Sequence, residues 1–261
     1  MNDENKIILR QLIRESLNNA ERVWKNEGSQ LTAANECFDS ESHRITKSES
    51  VPSFIPGYPI VHTDTNEVAT FIALVADMRN SSQHLLCDIS QKHAKVSMLQ
   101  RVYYETSALL PALAKTISFE NGAVTEYLGD GVLAFFKIDD TDPSESIYAA
   151  HRAARNCIQA CRDIVNEELN SRYDLPALDI GVGLATSKAL ITLVGLEGEK
   201  QAKAFGECVF RATKLSNGTN AIYVDEKLEA MWPTSSTGGG LQFRKKHVNG
   251  VDGFLIESKY K

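Results

Sequence analysis

Apolar positions recur along this chain in two rhythms, and each rhythm predicts a different kind of element. Ile7, Ile8, Leu12, Ile13 and Leu17 fall at helical spacing with charges between them, which predicts an amphipathic helix over residues 4–27. Residues 28–60 lose that spacing. They are rich in Ser and Pro and end in "ESVPSFIPGYPIV", the composition of an extended linker or clasp. From about residue 66 the pattern becomes regular. "VATFIALVAD" reads as a buried strand, and residues 88–118 read as a long helix that Pro111 ends or kinks. In "VTEYLGDGVLAFF", residues 124–136, two strand-favouring runs flank a Gly-Asp-Gly, which predicts a tight hairpin over 122–137. "DPSESIYAAHRAARNCIQACRDIVNEEL" opens on Asp, Pro and Ser and continues as a long amphipathic helix. "ALDIGVGLATSKALITLVG" predicts a strand pair and "GECVFRATKLSN" a short helix. "AIYVDEKLEAM" predicts a strand and a helix, and "LQFRKKHVNGVDGFLIES" a terminal hairpin. Hairpins and crossovers together predict an α+β sandwich with helices packed on a sheet.

Composition narrows the class. The 261 residues suffice for one large domain, or a domain with an extension, dividing at about residue 60 into 1–60 and 61–261. A net charge of -6 argues against non-specific nucleic-acid binding, which needs basic surface. No apolar run approaches a membrane span, and the start "MNDENKIILRQLIRES" carries no signal-peptide core. The five cysteines (Cys37, Cys87, Cys157, Cys161, Cys208) lack zinc-site spacing, and Cys157 and Cys161, one helical turn apart, read as packing residues. The expectation is a reduced, cytoplasmic protein without nucleic-acid or membrane partners.

Two carboxylates carry the candidate chemistry. Asp130 sits at the hairpin tip, where it shapes the turn or faces a cation. Asp77 ends the first buried strand in "FIALVADMRNSS", a position that is equally open to a structural reading. If the two strand ends converge, the pair suits Mg²⁺ or Mn²⁺, which take carboxylate oxygens and leave positions for substrate phosphates. The stretch from Met78 to Ser82 leads toward a helix, so the amides of Arg79, Asn80 and Ser81 are candidate phosphate donors.

These stretches, in this order, resemble the class III nucleotidyl cyclases. "FIALVADMRNSS" resembles the family's metal Asp and phosphate turn, and "GAVTEYLGDGVLAFF" its hairpin with the second metal Asp. "LDIGVGLATSKALITLVG" resembles its Gly-rich strand pair, and "KAFGECVFRATKLSN" its catalytic helix. The resemblance spans about residues 66–258. It implies a ferredoxin-like, palm-type core with an N-terminal helical extension, working as a head-to-tail homodimer with active sites at the interface. It also implies attack of a 3'-hydroxyl on the α-phosphate of a nucleoside triphosphate, with two divalent ions held by Asp77, Asp130 and the Met78 carbonyl.

Departures from the family pattern bear on the substrate. Adenylate-making members carry a Lys four residues before the second metal Asp and an Asp three residues before the Gly that opens the catalytic helix. Those positions are Glu126 and Lys203 here, so the charges are reversed. Glu126 as acceptor and Lys203 as donor fit a base edge with a ring N–H beside a carbonyl, as in uracil and guanine. The family's ribose-positioning Asn falls at Phe210 and its transition-state Arg at Lys214, with Arg211 on the same helical face as an alternative. Its triphosphate Lys aligns roughly with Asn249, near Lys245 and Lys246. The bulk of Phe210, with Phe205 on the same approach, argues for a small base and hence UTP.

In size, in its lack of an attached sensor and in its changed base-reading pair, the chain resembles the pyrimidine cyclases of the bacterial anti-phage Pycsar system. That resemblance implies cyclic UMP (3',5'-cyclic uridine monophosphate) made as a messenger for a separate effector. The alternatives are a guanylate or cytidylate cyclase, a catalytically dead nucleotide-binding domain, or an interaction protein whose N-terminal helix docks a partner.

Overall fold

The protein is described by a computed structural model over residues 1–27, 50–63, 66–81, 84, 96–234 and 239–259. Its spine is β3 (Glu67–Met78), whose central residues Phe71 to Val75 have almost no exposure because both faces of the sheet are covered. Antiparallel to β3 lie β5 (Gly131–Lys137) on one side and β6 (Ile180–Val194) on the other. The hairpin partner of β5 is β4 (Ala123–Tyr127), which forms the sheet edge. Beyond β6 come β8 (Ile222–Asp225), β10 (Val251–Ser258) and β9 (Leu241–Val248), with β6 and β8 parallel. The order β4-β5-β3-β6, with helices crossing from β3 to β4 and from β5 to β6, is the ferredoxin-like, palm-type core expected from the sequence.

Alternation along β3 separates two cores. Ile72, Leu74, Ala76 and Met78 face the helices, whereas Phe71, Ala73 and Val75 face the opposite side. The helix layer contains α2 (Met98–Ser118), which starts on a Ser97–Gln100 capping box. Pro111 does not end α2, because the buried Ala112, Leu113, Thr116 and Ile117 hold its second half against the sheet. Residues 88–95, the start of the expected long helix, lie outside the described residues. α3 (Ser144–Asn156) runs through a π-turn at Cys157–Cys161 into α4 (Arg162–Tyr173), so the cysteine pair is buried packing, as expected. Cys37 and Cys87 fall outside the described residues.

Two sequence expectations are corrected here. "ALDIGVGLATSKALITLVG" is not a strand pair but one fifteen-residue strand, β6. The polar Ser187 and Lys188 stay extended because they pair with Phe71 and Thr70 of β3. The hairpin partner of β6 is β7 (Gln201–Gly206), within a charged stretch that gave no strand signal. The second correction concerns α1 (Asp3–Glu27). Its apolar stripe faces its own chain: Leu9, Ile13, Leu17 and Ala20 are buried in the helix-side core against α2 and α4. Arg10 and Arg14 reach Glu168 of α4, at 3.0 Å each. Ile7 and Ile8 of the expected stripe stay exposed, at 68% and 40%.

The opposite face is covered by α5 (Glu207–Leu215), through Cys208 and Ala212, and by residues 50–62. Those residues form a ribbon of β1 (Ser50–Pro52) and β2 (Ile60–His62) that buries Ile55 and Val61 on the sheet. The close fit of α5 explains the glycines of "IGVG". A Cβ on Gly183 would stand 2.1 Å from the Ala212 carbonyl oxygen, and one on Gly181 would stand 2.0 Å from that of Ser216. Among the described residues, no helix is long and apolar enough to cross a membrane.

Candidate active site

Asp77 continues the row Phe71, Ala73, Val75 onto the face opposite the helices, near the end of β3 where the chain leaves the sheet. It stands in register with Gly131, the first residue of β5. A Cβ on Gly131 would lie 2.9 Å from Asp77 Oδ1, so glycine is what leaves room for the carboxylate. The hairpin tip turns on Gly129, whose φ of 80° a side chain resists. It closes with the Leu128 N–H donating to the Gly131 carbonyl at 2.8 Å. The Met78 N–H donates to the Asp130 carbonyl at 3.1 Å, which stitches the two strand ends together.

The two carboxylates lie close enough to interact. The pKa of Asp77 is pushed up to about 6, first by burial and then by the Asp130 charge, against the lowering effect of Arg79. Two carboxylates in a partly buried corner repel one another unless a proton or a cation lies between them, and at ~4 Å the repulsion is roughly 4 kcal/mol at an effective dielectric near 20. The donor set fits Mg²⁺ or Mn²⁺, hard cations that bind one or two carboxylates and take the remaining oxygens from water and phosphates. No cluster of three or more His, Cys, Asp or Glu stands at a metal-binding spacing among the described residues, so substrate oxygens would have to complete the shell. The Met78 side chain is buried under the helices, so only its backbone carbonyl is available as a ligand.

Arg79 occupies the corner beside this pair. One Nη donates to Asp77 Oδ2, and the other donates to Asn217 Oδ1 at 2.6 Å. Asn217 in turn donates to Asn249 Oδ1 at 3.1 Å, and Asn249 reaches the Lys214 carbonyl at 3.3 Å. Asn249 is the left-handed tip of the β9–β10 hairpin (φ 47°). One polar chain thus joins the turn after β3, the end of α5 and the last hairpin. The Arg79 N–H is committed to the Asp179 carbonyl at 2.8 Å, which removes it from the three amides expected as phosphate donors. Asn80 sits at a left-handed φ of 59°, and its carbonyl accepts the His84 N–H at 3.1 Å.

Glu126 and Lys203 are brought together from the bulged strand β4 and from β7, and they pair at 2.8 Å, each about 30% exposed (31% and 28%). Phe210 stands 59% exposed on α5 with the Lys214 ammonium 5.6 Å above its ring. Phe205 does not join it. It lies in register with Leu190, which lies in register with Val68, forming a row of exposed apolar side chains across β7, β6 and β3. Arg211 turns into its own chain, donating to the Asp252 carbonyl at 2.9 Å and facing Glu207 and the buried Asp225, each at 3.5 Å. Lys245 pairs with Glu226 at 3.1 Å. Asn217 was missed in the sequence. It lies in the quoted helix stretch, but no residue-type signal separates it from an ordinary helix end.

No protein-family model matches the chain, and no curated protein sequence matches it. Solved structures do. The guanylyl cyclase Cya2 is 18% identical, with a TM-score of 0.57 over 73% of this chain and 91% of that one. The adenylyl cyclase CyaB from P. aeruginosa is 14% identical, with a TM-score of 0.56 over 76% of this chain and 98% of that one. The non-canonical dimeric guanylyl cyclase domain of the RhoGC fusion protein from the aquatic fungus Blastocladiella emersonii is 13% identical, with a TM-score of 0.52 over 74% of this chain and 97% of that one. At these identities the likeness concerns fold, and the fold of this chain is that of the class III nucleotidyl cyclases.

Proposed function

We propose that the protein is a nucleotidyl cyclase that converts UTP to 3',5'-cyclic UMP and pyrophosphate. The observation that carries this reading is the interaction between Asp77 and Asp130 at the ends of adjacent central strands, a corner of negative charge that calls for a cation. Two Mn²⁺ or Mg²⁺ ions held by Asp77, Asp130 and the Met78 carbonyl would neutralise the triphosphate and acidify the ribose 3'-hydroxyl. The rest falls to the chain itself. Asn80 and Ser81 offer amides to the phosphates, and Arg79 stands ready to leave Asp77 for a phosphate oxygen. Lys214 supplies positive charge toward the developing pyrophosphate, a point charge rather than a fork. Arg211 is the alternative there, although its present partners hold it against its own protomer.

The base reading rests on the Glu126–Lys203 pair. Glu126 accepts uracil N3–H and Lys203 donates to O4, while the exposed Phe210 limits the depth of the pocket. Guanine presents the same edge, so a guanylate cyclase is the second reading. Residues of α5 and the metal corner belong to different protomers in a head-to-tail homodimer, and the exposed row Val68, Leu190, Phe205 offers apolar surface for such an assembly. By its resemblance to the pyrimidine cyclases, the product serves a separate cyclic-nucleotide-responsive effector in antiviral defence, inside the cytoplasm.

The test is incubation of the purified protein with ATP, GTP, CTP or UTP and Mn²⁺, with products identified by mass and pyrophosphate measured. Cyclic UMP as main product, lost in Asp77→Ala and in Asp130→Ala, is the expected result. Cyclic GMP alone refutes the uracil reading, and binding without pyrophosphate release refutes catalysis.

A further inference from the structure

Phe54 is 79% exposed, more than any other large apolar side chain among the described residues. Its position is nevertheless fixed by its neighbours. The Ser53 N–H donates to the Pro59 carbonyl at 2.9 Å, the Ile55 N–H to Ser53 Oγ at 3.0 Å, and the Tyr58 N–H to the Ile55 carbonyl at 2.9 Å. On one side of this turn Ile55 is buried against the sheet. On the other, Tyr58 packs on Phe71 with ring centroids 6.3 Å apart and carries the Lys137 ammonium 4.7 Å from its own ring centroid. An aromatic ring is thus held in water by a short, well-anchored turn, with apolar surface that gains from being covered.

A cavity of about 220 Å³ lies beside it, lined by Pro52, Phe54, Thr125, Ala202 and Lys203 among others. The cavity therefore joins the ribbon to the two strands that carry the Glu126–Lys203 pair, and Lys203 belongs to both features. A flat apolar ring and the Lys203 ammonium border one small cavity, with Glu126 paired to that lysine, and together they match the two chemistries of a nucleobase, a π-face and a polar edge.

We infer that Phe54, from the ribbon ahead of the catalytic core, is the stacking residue of the nucleobase site whose edge Glu126 and Lys203 read. This rests on the cyclase reading for the identity of the ligand. It adds that the base is gripped by a segment outside the core motifs.

The experiment uses the full chain with Phe54→Ala and Phe54→Trp, and reads KM, kcat and inhibition by inorganic tripolyphosphate, a base-free probe of the phosphate site. Loss of one stacking contact raises KM for the preferred nucleotide about tenfold to hundredfold. kcat stays near wild type, tripolyphosphate inhibition is unchanged, and Trp restores KM. An unchanged KM in Phe54→Ala overturns the inference, as does a rise in KM matched by weaker tripolyphosphate inhibition, which reports general damage to the site. If the wild type turns over no nucleoside triphosphate, the cyclase reading fails on its own. Calorimetric titration with UTP and Mn²⁺ then decides the stacking question, since equal affinity of wild type and Phe54→Ala overturns it and weaker affinity of the variant supports it.

Discussion

Arg79 and Asn217, 138 residues apart in sequence, meet at 2.6 Å, and through this contact the end of α5 holds the guanidinium that lies on Asp77. The positive charge is thus parked on a carboxylate that the proposed chemistry needs for metal. A cation arriving at Asp77 has to displace Arg79, and hydrogen bonds between charged groups contribute about 1.5–3 kcal/mol. Arg79→Ala is expected to bind Mn²⁺ about tenfold tighter than wild type in calorimetry at pH 8 without nucleotide. Its kcat/KM falls, because the triphosphate loses a donor. Unchanged or weaker Mn²⁺ binding rejects the idea that Arg79 guards the site.

Asp77 also limits stability. Its pKa of about 6 in the folded chain exceeds the ordinary 3.8, so the folded state holds this proton more tightly than the unfolded one. That stabilisation is present in acid and is lost as pH rises from about 4 to about 6, at roughly 3 kcal/mol for a shift of two units. Asp77→Asn mimics the protonated form at every pH. Urea unfolding at pH 7.5 is expected to show it more stable than wild type by about 2–3 kcal/mol, while no cyclic nucleotide is made. Equal or lower stability of the variant contradicts the burial and Asp130 repulsion assigned to this side chain.

The Asp77–Asp130 corner was legible in the sequence because its signals are local. A buried strand ending in Asp77, and Asp130 between two glycines, are each fixed by residues within a few positions. What was not legible depends on contacts made across the fold. β6 reads as two strands because Ser187 and Lys188 interrupt its apolar run, and only their pairing with β3 keeps it single. The burial of α1 is set by α2 and α4, which its own periodicity cannot name. Asn217 and Phe54 gain meaning only from Arg79 and from the cavity at Lys203, partners that are distant in sequence.

Because α1 is part of the core, its removal should be costly. Ile13 has no exposed surface. Ile13→Ala removes buried methyl groups and leaves a cavity, for an expected loss of about 2–5 kcal/mol. Deleting residues 1–27 opens Leu9, Ile13, Leu17 and Ala20 to water together and should give a protein that aggregates or unfolds cooperatively at a much lower temperature. A truncated protein that melts like wild type assigns α1 to an independent extension instead.

His151 provides an acid-sensitive element away from the site. It is buried edge-on against Trp232, with ring centroids 5.4 Å apart. Burial, then Arg155 and Arg152, lower its pKa from 6.5 to about 4. The unfolded chain takes up this proton first, so the stability contributed by neutral His151 is present above pH 6.5 and is lost as pH falls toward 4, by about 3 kcal/mol. His151→Phe keeps the aromatic contact and removes the titration. The difference in unfolding free energy between variant and wild type is expected to grow as pH falls through that window. A difference independent of pH excludes His151 as the source.

The Glu126–Lys203 pair separates folding from recognition. Both side chains are about 30% exposed (31% and 28%), so their mutual attraction contributes little to stability, with a coupling below about 1 kcal/mol in a double-mutant cycle of unfolding. Turnover should respond far more strongly. A base bound against the pair covers both groups, and removing one partner leaves the other unsatisfied, for a loss of kcat/KM of about a hundredfold in Glu126→Gln or Lys203→Gln. Reversing both charges, as in Glu126→Lys with Lys203→Asp, restores an ion pair of opposite polarity. The introduced ammonium then faces the ring-nitrogen acceptor of an adenine edge, and the introduced carboxylate faces its amino group. The ratio of kcat/KM for ATP to that for UTP is expected to rise by about a hundredfold or more relative to wild type, while the unfolding midpoint moves little. A ratio left unchanged by the double reversal means that the pair does not read the base.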